Sequence, residues 1–235
     1  MGTIAIDIEV VGFHWEDLDE TTRKYLLRRE RNEARRSSIP ERMGLHLGLG
    51  RVVAIGMWYV EEDKGLILLE GESAPRQAWD AVLGAEIERG TEEQLLRRFW
   101  SLVGPQANGA EGEGDAAPRL VTYNGRAYDG PVLCVRSAQL AVVPTRYLSD
   151  PARETSSHCD LMDVMTFFGA SRDRFSLDYW CRRFGVESPK SGIDGSQVGQ
   201  AYADGRIEEI GAYCLRDVEA TAELFRRIAP ALLQE

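Results

Sequence analysis

At 235 residues, with 43% hydrophobic and 28% charged residues, the chain has the composition of a soluble globular protein long enough for one substantial α/β domain. The formal net charge of -10 argues against a protein that grips nucleic acid through a broad basic surface, though not against a nuclease, because clustered carboxylates awaiting cations add to a negative total. No apolar run approaches a membrane span and the N-terminus lacks the basic-then-apolar order of a secretion signal. Cys134, Cys159, Cys181 and Cys214 form no C-x-x-C pair, so reduced thiols, a cytoplasmic location and no membrane partner are expected.

The first strand reads TIAIDIEV from Thr3 to Val10. Alternation places Ile4, Ile6, Ile8 and Val10 on one face and Thr3, Ala5, Asp7 and Glu9 on the other. Two acids side by side at a strand end repel unless a cation lies between them, which suits a metal preferring hard oxygen ligands. A solvated strand end is the alternative. A charged insertion at about 15–45 follows, helical over Tyr25 to Arg36 and without an apolar stripe. Its Arg23, Lys24, Arg28, Arg29, Arg31, Arg35 and Arg36 fit either a strand-binding groove or a solvated helix face.

GLGRVVAIGMWYVEE, Gly48 to Glu62, and GLILLEGE, Gly65 to Glu72, read as a second and third strand separated by the turn residues Glu62, Asp63, Lys64 and Gly65. A helix over Thr91–Val103 has Thr91 as its cap and Leu95, Leu96 and Phe99 on its apolar side. The Gly/Ala/acid stretch at about 105–118 reads as a flexible loop. The strand RLVTYN then enters a turn at Asn124-Gly125 and a helix for which Asp129 is a candidate N-cap; a side chain there also faces the crevice beyond the strand ends.

His158 to Met165 reads as a short strand entering a helix, with His158 and Asp160 taken as a satisfied core histidine and a cap-like acid rather than a metal pair. Ser176 and Gly185 bound another helix, and Asp194 and Ser196 are expected to cap a short one. Arg172, Arg174, Arg182 and Arg183 make a second basic group. Lys190 is placed to reach a phosphate. The last helix, from Arg206 to about Ile228, carries an apolar stripe through Ile210, Cys214 and Val218, with Asp217 at its edge and Tyr213 one turn before on the same side.

Asp7-x-Glu9, Asn124-Gly125 with Asp129, and Tyr213-x-x-x-Asp217, in that order, resemble the DEDD superfamily of 3′–5′ exonucleases in its tyrosine-containing branch. The runs YNGRAYDGPVL, HCDLMDV, SLDYW and KSGIDGSQV resemble more closely the bacterial family of predicted exonucleases related to the proofreading domain of family B DNA polymerases. The resemblance implies a ribonuclease H-like fold, with a five-stranded mixed sheet flanked by helices, in a single domain over 1–235. It implies Asp7, Glu9, Asp129 and Asp217 as metal ligands and Tyr213 as the residue positioning the attacking water. Two divalent cations, Mg2+ or Mn2+, would serve as cofactors.

The implied partner is nucleic acid with a free 3′ end, single-stranded DNA first and short RNA second, with Asn124 and Lys190 as substrate contacts. Tyr128 stands where phenylalanine is common in the family. The long insertion and the Gly/Ala/acid loop also depart from the family pattern. A non-catalytic nucleic-acid-binding module and a small-molecule phosphatase are the competing readings.

Overall fold

A computed structural model describes residues 2–72, 74–80, 84–105, 117–149, 155–189 and 192–233; most of the loop expected at about 105–118, and Lys190, lie outside the described residues. The strands are β1 (Thr3–Gly12), β2 (Gly50–Tyr59), β3 (Lys64–Glu70), β4 (Ala74–Asp80), β5 (Ala85–Gly90), β6 (Arg119–Thr122) and β7 (His158–Asp160). The helices are α1 (Glu20–Arg29), α2 (Glu33–Ser37), α3 (Glu92–Val103), α4 (Asp129–Gln139), α5 (Leu161–Met165), α6 (Leu177–Phe184), α7 (Val198–Ala203) and α8 (Ile207–Leu232).

The strands form one mixed sheet in the order β4-β5-β3-β2-β1-β6-β7. The pairs β1–β2 and β2–β3 are antiparallel, whereas β1–β6 and β6–β7 are parallel. This is the expected ribonuclease H-like arrangement with seven strands among the described residues instead of five. The five expected strands are contiguous as β3-β2-β1-β6-β7, and β5 and β4 extend the β3 edge. Sequence reading passes over those two because one contains Pro75 and the other, AEIERG, has Ile87 as its one large apolar residue.

The alternation in β1 becomes two packed faces. Ile4, Ile6 and Ile8 are buried with Leu95, Leu96, Phe99 and Trp100 of α3 and Val132 and Leu133 of α4. Each such side chain contributes about 1.5–3 kcal/mol by leaving water. On the opposite face Ala5 and Val121 pack with Leu215, Val218, Ala222 and Phe225 of α8. Small residues there let the long helix lie close to the sheet. Thr91 caps α3 in a box with Gln94, and Ser176 and Gly185 bound α6 as expected.

Three local expectations need correction. The charged insertion is not one helix over Tyr25 to Arg36: α1 ends at Arg29 and α2 begins at Glu33, and Leu26, Ile39 and Met43, packed by Trp15 and Leu18, are buried together across the two helices and a 3-10 turn. Its apolar residues are too widely spaced in sequence to mark one helical stripe. Asp194 and Ser196 do not cap α7; Asp194 Oδ1 accepts from the Ser196 amide and hydroxyl, closing a turn, and the α7 N-cap is Gln197. Asp129 is the first helical residue of α4, not its N-cap, which is Tyr128.

Candidate active site

Four acids from three elements converge on β1 past the end of β6; Asp7 and Glu9 lie within β1, which runs on to Gly12, and not at the strand end expected from the sequence. Asp7 lies opposite Gly56 in the β1–β2 register, and a bulge follows between Glu9 and Val10. Bulges bend a strand and re-aim its side chains, here at the point where the acids end the run. A Cβ on Gly56 would meet Cys214 Sγ at 2.9 Å and Val218 Cγ1 at 3.0 Å, so the absent side chain admits α8 to the sheet. That approach brings Tyr213 and Asp217, both half-buried, over the β1 acids.

Asp129 arrives by a tight turn. Asn124 adopts φ +66°, a left-handed conformation that asparagine tolerates, and its carbonyl accepts from the Ala127 and Tyr128 amides. A Cβ on Gly125 would lie 2.5 Å from the Thr122 Cβ, so only glycine fits beside it. From β7, Asp160 ties the turn down by accepting from the Asn124 amide at 2.8 Å and the Arg126 amide at 2.9 Å, while also capping α5 through Met162. Tyr128 donates its hydroxyl to the Gly44 carbonyl at 2.8 Å, linking the turn to the insertion.

The acids are poorly compensated. Burial first, then the charges of Asp129, Glu9 and Asp217, push Asp7 well above the usual carboxylate range. Glu9, 7% exposed, is pushed up by burial and then by Asp217 and Asp129. Asp129, 4% exposed, is pushed up to about 7, chiefly by burial, although it accepts from its own amide and from that of Ile8. The Ile8 amide also reaches the Asp7 carboxylate, so one β1 donor serves two acids. Burial, then Asp217, Glu9 and Asp7, raise the Tyr213 phenol, which hydrogen-bonds the Asp217 side chain. At neutral pH that phenol is therefore an O–H donor.

Cys214 is the neighbour that sequence reasoning assigned only to the apolar stripe. Single atoms of Asp7, Glu9 and Cys214 all lie within 4.8 Å of one another. The thiol donates to the Asp7 carbonyl oxygen at 3.5 Å, and burial together with the three nearby acids holds its pKa well up. A protonated thiol is a poor ligand, so the donor set left is carboxylate oxygen, which fits a hard divalent cation. Its position next to Tyr213 in sequence was the available signal.

Of the other candidates, Asn124 presents its side-chain oxygen to Arg174 Nη2 at 2.8 Å and lines a cavity of about 430 Å3 with Arg126, Arg172 and Arg174. His158 is the core histidine expected: Nε2 meets Thr122 Oγ1 at 2.9 Å, Nδ1 meets the Leu148 carbonyl at 2.7 Å, and burial pulls its pKa down to about 4. The cysteines are all free, and among the described residues no helix is long and apolar enough to cross a membrane.

A family model described as a predicted 3′–5′ exonuclease related to the exonuclease domain of PolB matches residues 45–231. Asn124, Asp129, Tyr213 and Asp217 fall inside the match; Asp7, Glu9 and most of the insertion precede it. No curated protein matches the chain.

Proposed function

Because the chain belongs to this family of predicted 3′–5′ exonucleases, we propose that it is a metal-dependent hydrolase releasing mononucleotides from the free 3′ end of single-stranded DNA. It would work in the cytoplasm as one exonuclease domain. The observation that carries the reading is the mutual repulsion of Asp7, Glu9, Asp129 and Asp217, drawn from β1, α4 and α8 into one crevice. An arrangement so costly persists where a cation compensates it.

These four carboxylates would hold two divalent cations, Mg2+ or Mn2+. When bound, the pair supplies a nucleophile at neutral pH and relieves charge on the leaving oxygen. Tyr213, kept protonated by its surroundings, has a single O–H, bonded to the Asp217 side chain in this structure; with Asp217 engaged as a metal ligand, that O–H would instead donate to the attacking water and aim it at phosphorus. The Asp160-anchored turn holds Asp129 to β1, and Asn124 and Lys190 contact the substrate strand.

The test is stepwise shortening of 5′-labelled oligonucleotides from the 3′ end with Mg2+ or Mn2+ and with chelator. Asp7→Ala should cost at least about a thousandfold in rate; a variant retaining full rate would place the chemistry elsewhere. Matched DNA and RNA strands differing at the 2′-hydroxyl decide between deoxyribonuclease and the exoribonuclease alternative.

A further inference from the structure

The segment from Phe167 to Phe184, between the Asn124 turn and α8, concentrates aromatic side chains at the surface. Phe167 is 62% exposed, Phe168 48%, Phe175 37% and Phe184 36%. Burial normally claims such rings, and several left in water within one short segment mark a contact surface. Two of them are also held against backbone preference: Phe167 and Phe168 have φ of +49° and +55°, where bulky residues are genuine outliers. Strain of that kind persists where something other than stability selects it.

The other rings form an ordered array. Phe175 stacks on Tyr179 with centroids 4.1 Å apart and planes 18° from parallel, and Trp180 lies edge-on to both. Arg183 sits over Tyr179 at 5.5 Å. The residues flanking both ring sets in the chain, Thr166 and Gly169 around Phe167–Phe168 and Arg174 before Phe175, line one cavity with Arg126 and Arg172.

Nearby acids are largely spoken for. Asp160 takes three backbone amides, Asp163 pairs with Arg126 at 3.0 Å, and Asp178 pairs with Arg182 at 3.0 Å. Arg172 is exposed on the cavity wall. Flat rings interleaved with guanidinium groups are the chemistry that holds unpaired bases and their phosphates, tolerant of sequence because every base has a π-face.

Two contacts join this surface to the carboxylate site: Arg174 donates to Asn124, five residues before Asp129, and the Tyr123 hydroxyl donates to the Phe175 carbonyl. From the other side α6 packs on α8, where Cys181 feels the charge of Asp217. We propose that the Phe167–Phe184 surface binds the single-stranded nucleic acid that trails 5′ of the nucleotide in the active site, stacking its bases on the exposed rings and meeting its phosphates with Arg172 and Arg174. This rests on the exonuclease reading for the direction of the strand, but not for binding itself. Asp173, exposed among these arginines, keeps the net local charge small, so stacking dominates and the salt dependence is shallow.

The experiment measures fluorescence anisotropy of a 5′-labelled 12-residue oligothymidylate on the full chain in chelator, alongside hydrolysis with Mn2+ of that 12-mer and of the p-nitrophenyl ester of thymidine 5′-monophosphate, which is too short to reach the surface. Phe167→Ala and Phe168→Ala, each checked by circular dichroism for native folding, should weaken 12-mer binding at least about fivefold each, and Arg172→Glu similarly. The ratio of 12-mer to small-ester hydrolysis should fall in step.

Wild-type affinity in all three folded variants overturns the proposal. So does a dimer in sedimentation that the aromatic variants dissolve, which assigns the surface to a second copy of the chain. Binding that depends on these residues, with no hydrolysis of either substrate, upholds the surface and defeats the exonuclease reading instead. Ester hydrolysis by a protein that does not bind the 12-mer does the reverse.

Discussion

Two buried polar clusters sit side by side at the C-terminal end of this sheet, and they are built on opposite principles. At β7 the polar groups are well partnered: Asp160 accepts from the Asn124, Arg126 and Met162 amides, and His158 is bonded at both nitrogens. At the β1 site, the Ile8 amide serves both Asp7 and Asp129, and Asp129 and Asp217 raise the pKa of Asp7 and Glu9 beyond the effect of burial. Burial pushes Asp160 up as well, but three donors oppose it. The first cluster spends its hydrogen bonds on shape; the second leaves charge unanswered, which is what a site awaiting cations must do.

The largest effect that would break this contrast is on rate. Asp217→Asn should lower metal-stimulated hydrolysis at least about a thousandfold while raising the melting temperature in chelator, because one repelling charge is gone. A lower melting temperature would mean that the Tyr213 hydrogen bond to Asp217 outweighs the repulsion. Tyr213→Phe removes the hydroxyl that orients water and should cost about a hundredfold in kcat with KM nearly unchanged. Equal kcat would remove Tyr213 from the mechanism.

In the satisfied cluster the sign reverses. Asp160→Ala strands several buried amides and should destabilise by about 2–4 kcal/mol by denaturant titration, with activity lost in proportion to folding and to the displacement of Asp129. Little change would show that the Asn124 turn holds itself.

The mildest test is pH. Folded Asp129 keeps its proton up to about 7, against an ordinary value of 3.8. The native state in chelator then binds more protons than the unfolded chain between those values, so this group's contribution to stability falls as pH rises from about 4 to about 7 and stays low above it. Asp129→Asn should flatten that decline, and saturating Mg2+ should do the same in the wild type by favouring the ionised carboxylates. An identical pH profile in wild type and variant would separate Asp129 from the cluster.

What the sequence determined by itself is whatever follows from local spacing. Period-2 alternation in TIAIDIEV is enough to separate the Ile4-Ile6-Ile8 face from the Asp7-Glu9 face, and 3.6-residue spacing puts Tyr213 and Asp217 on one side of a helix. Thr91 and Ser176 announce helix starts because capping is a contact over three residues.

The tertiary structure alone decided what depends on residues distant in the chain. That Gly56 is small because Cys214 and Val218 press on it, that Asp160 anchors the turn leading to Asp129, and that polar β5 slots beside β3 are long-range facts with no local signature. The same holds for the insertion, whose Leu26, Ile39 and Met43 meet only after two turns of chain. Electrostatic repulsion among four acids is a sum over pair distances, and those distances exist only once β1, α4 and α8 have packed around a common crevice.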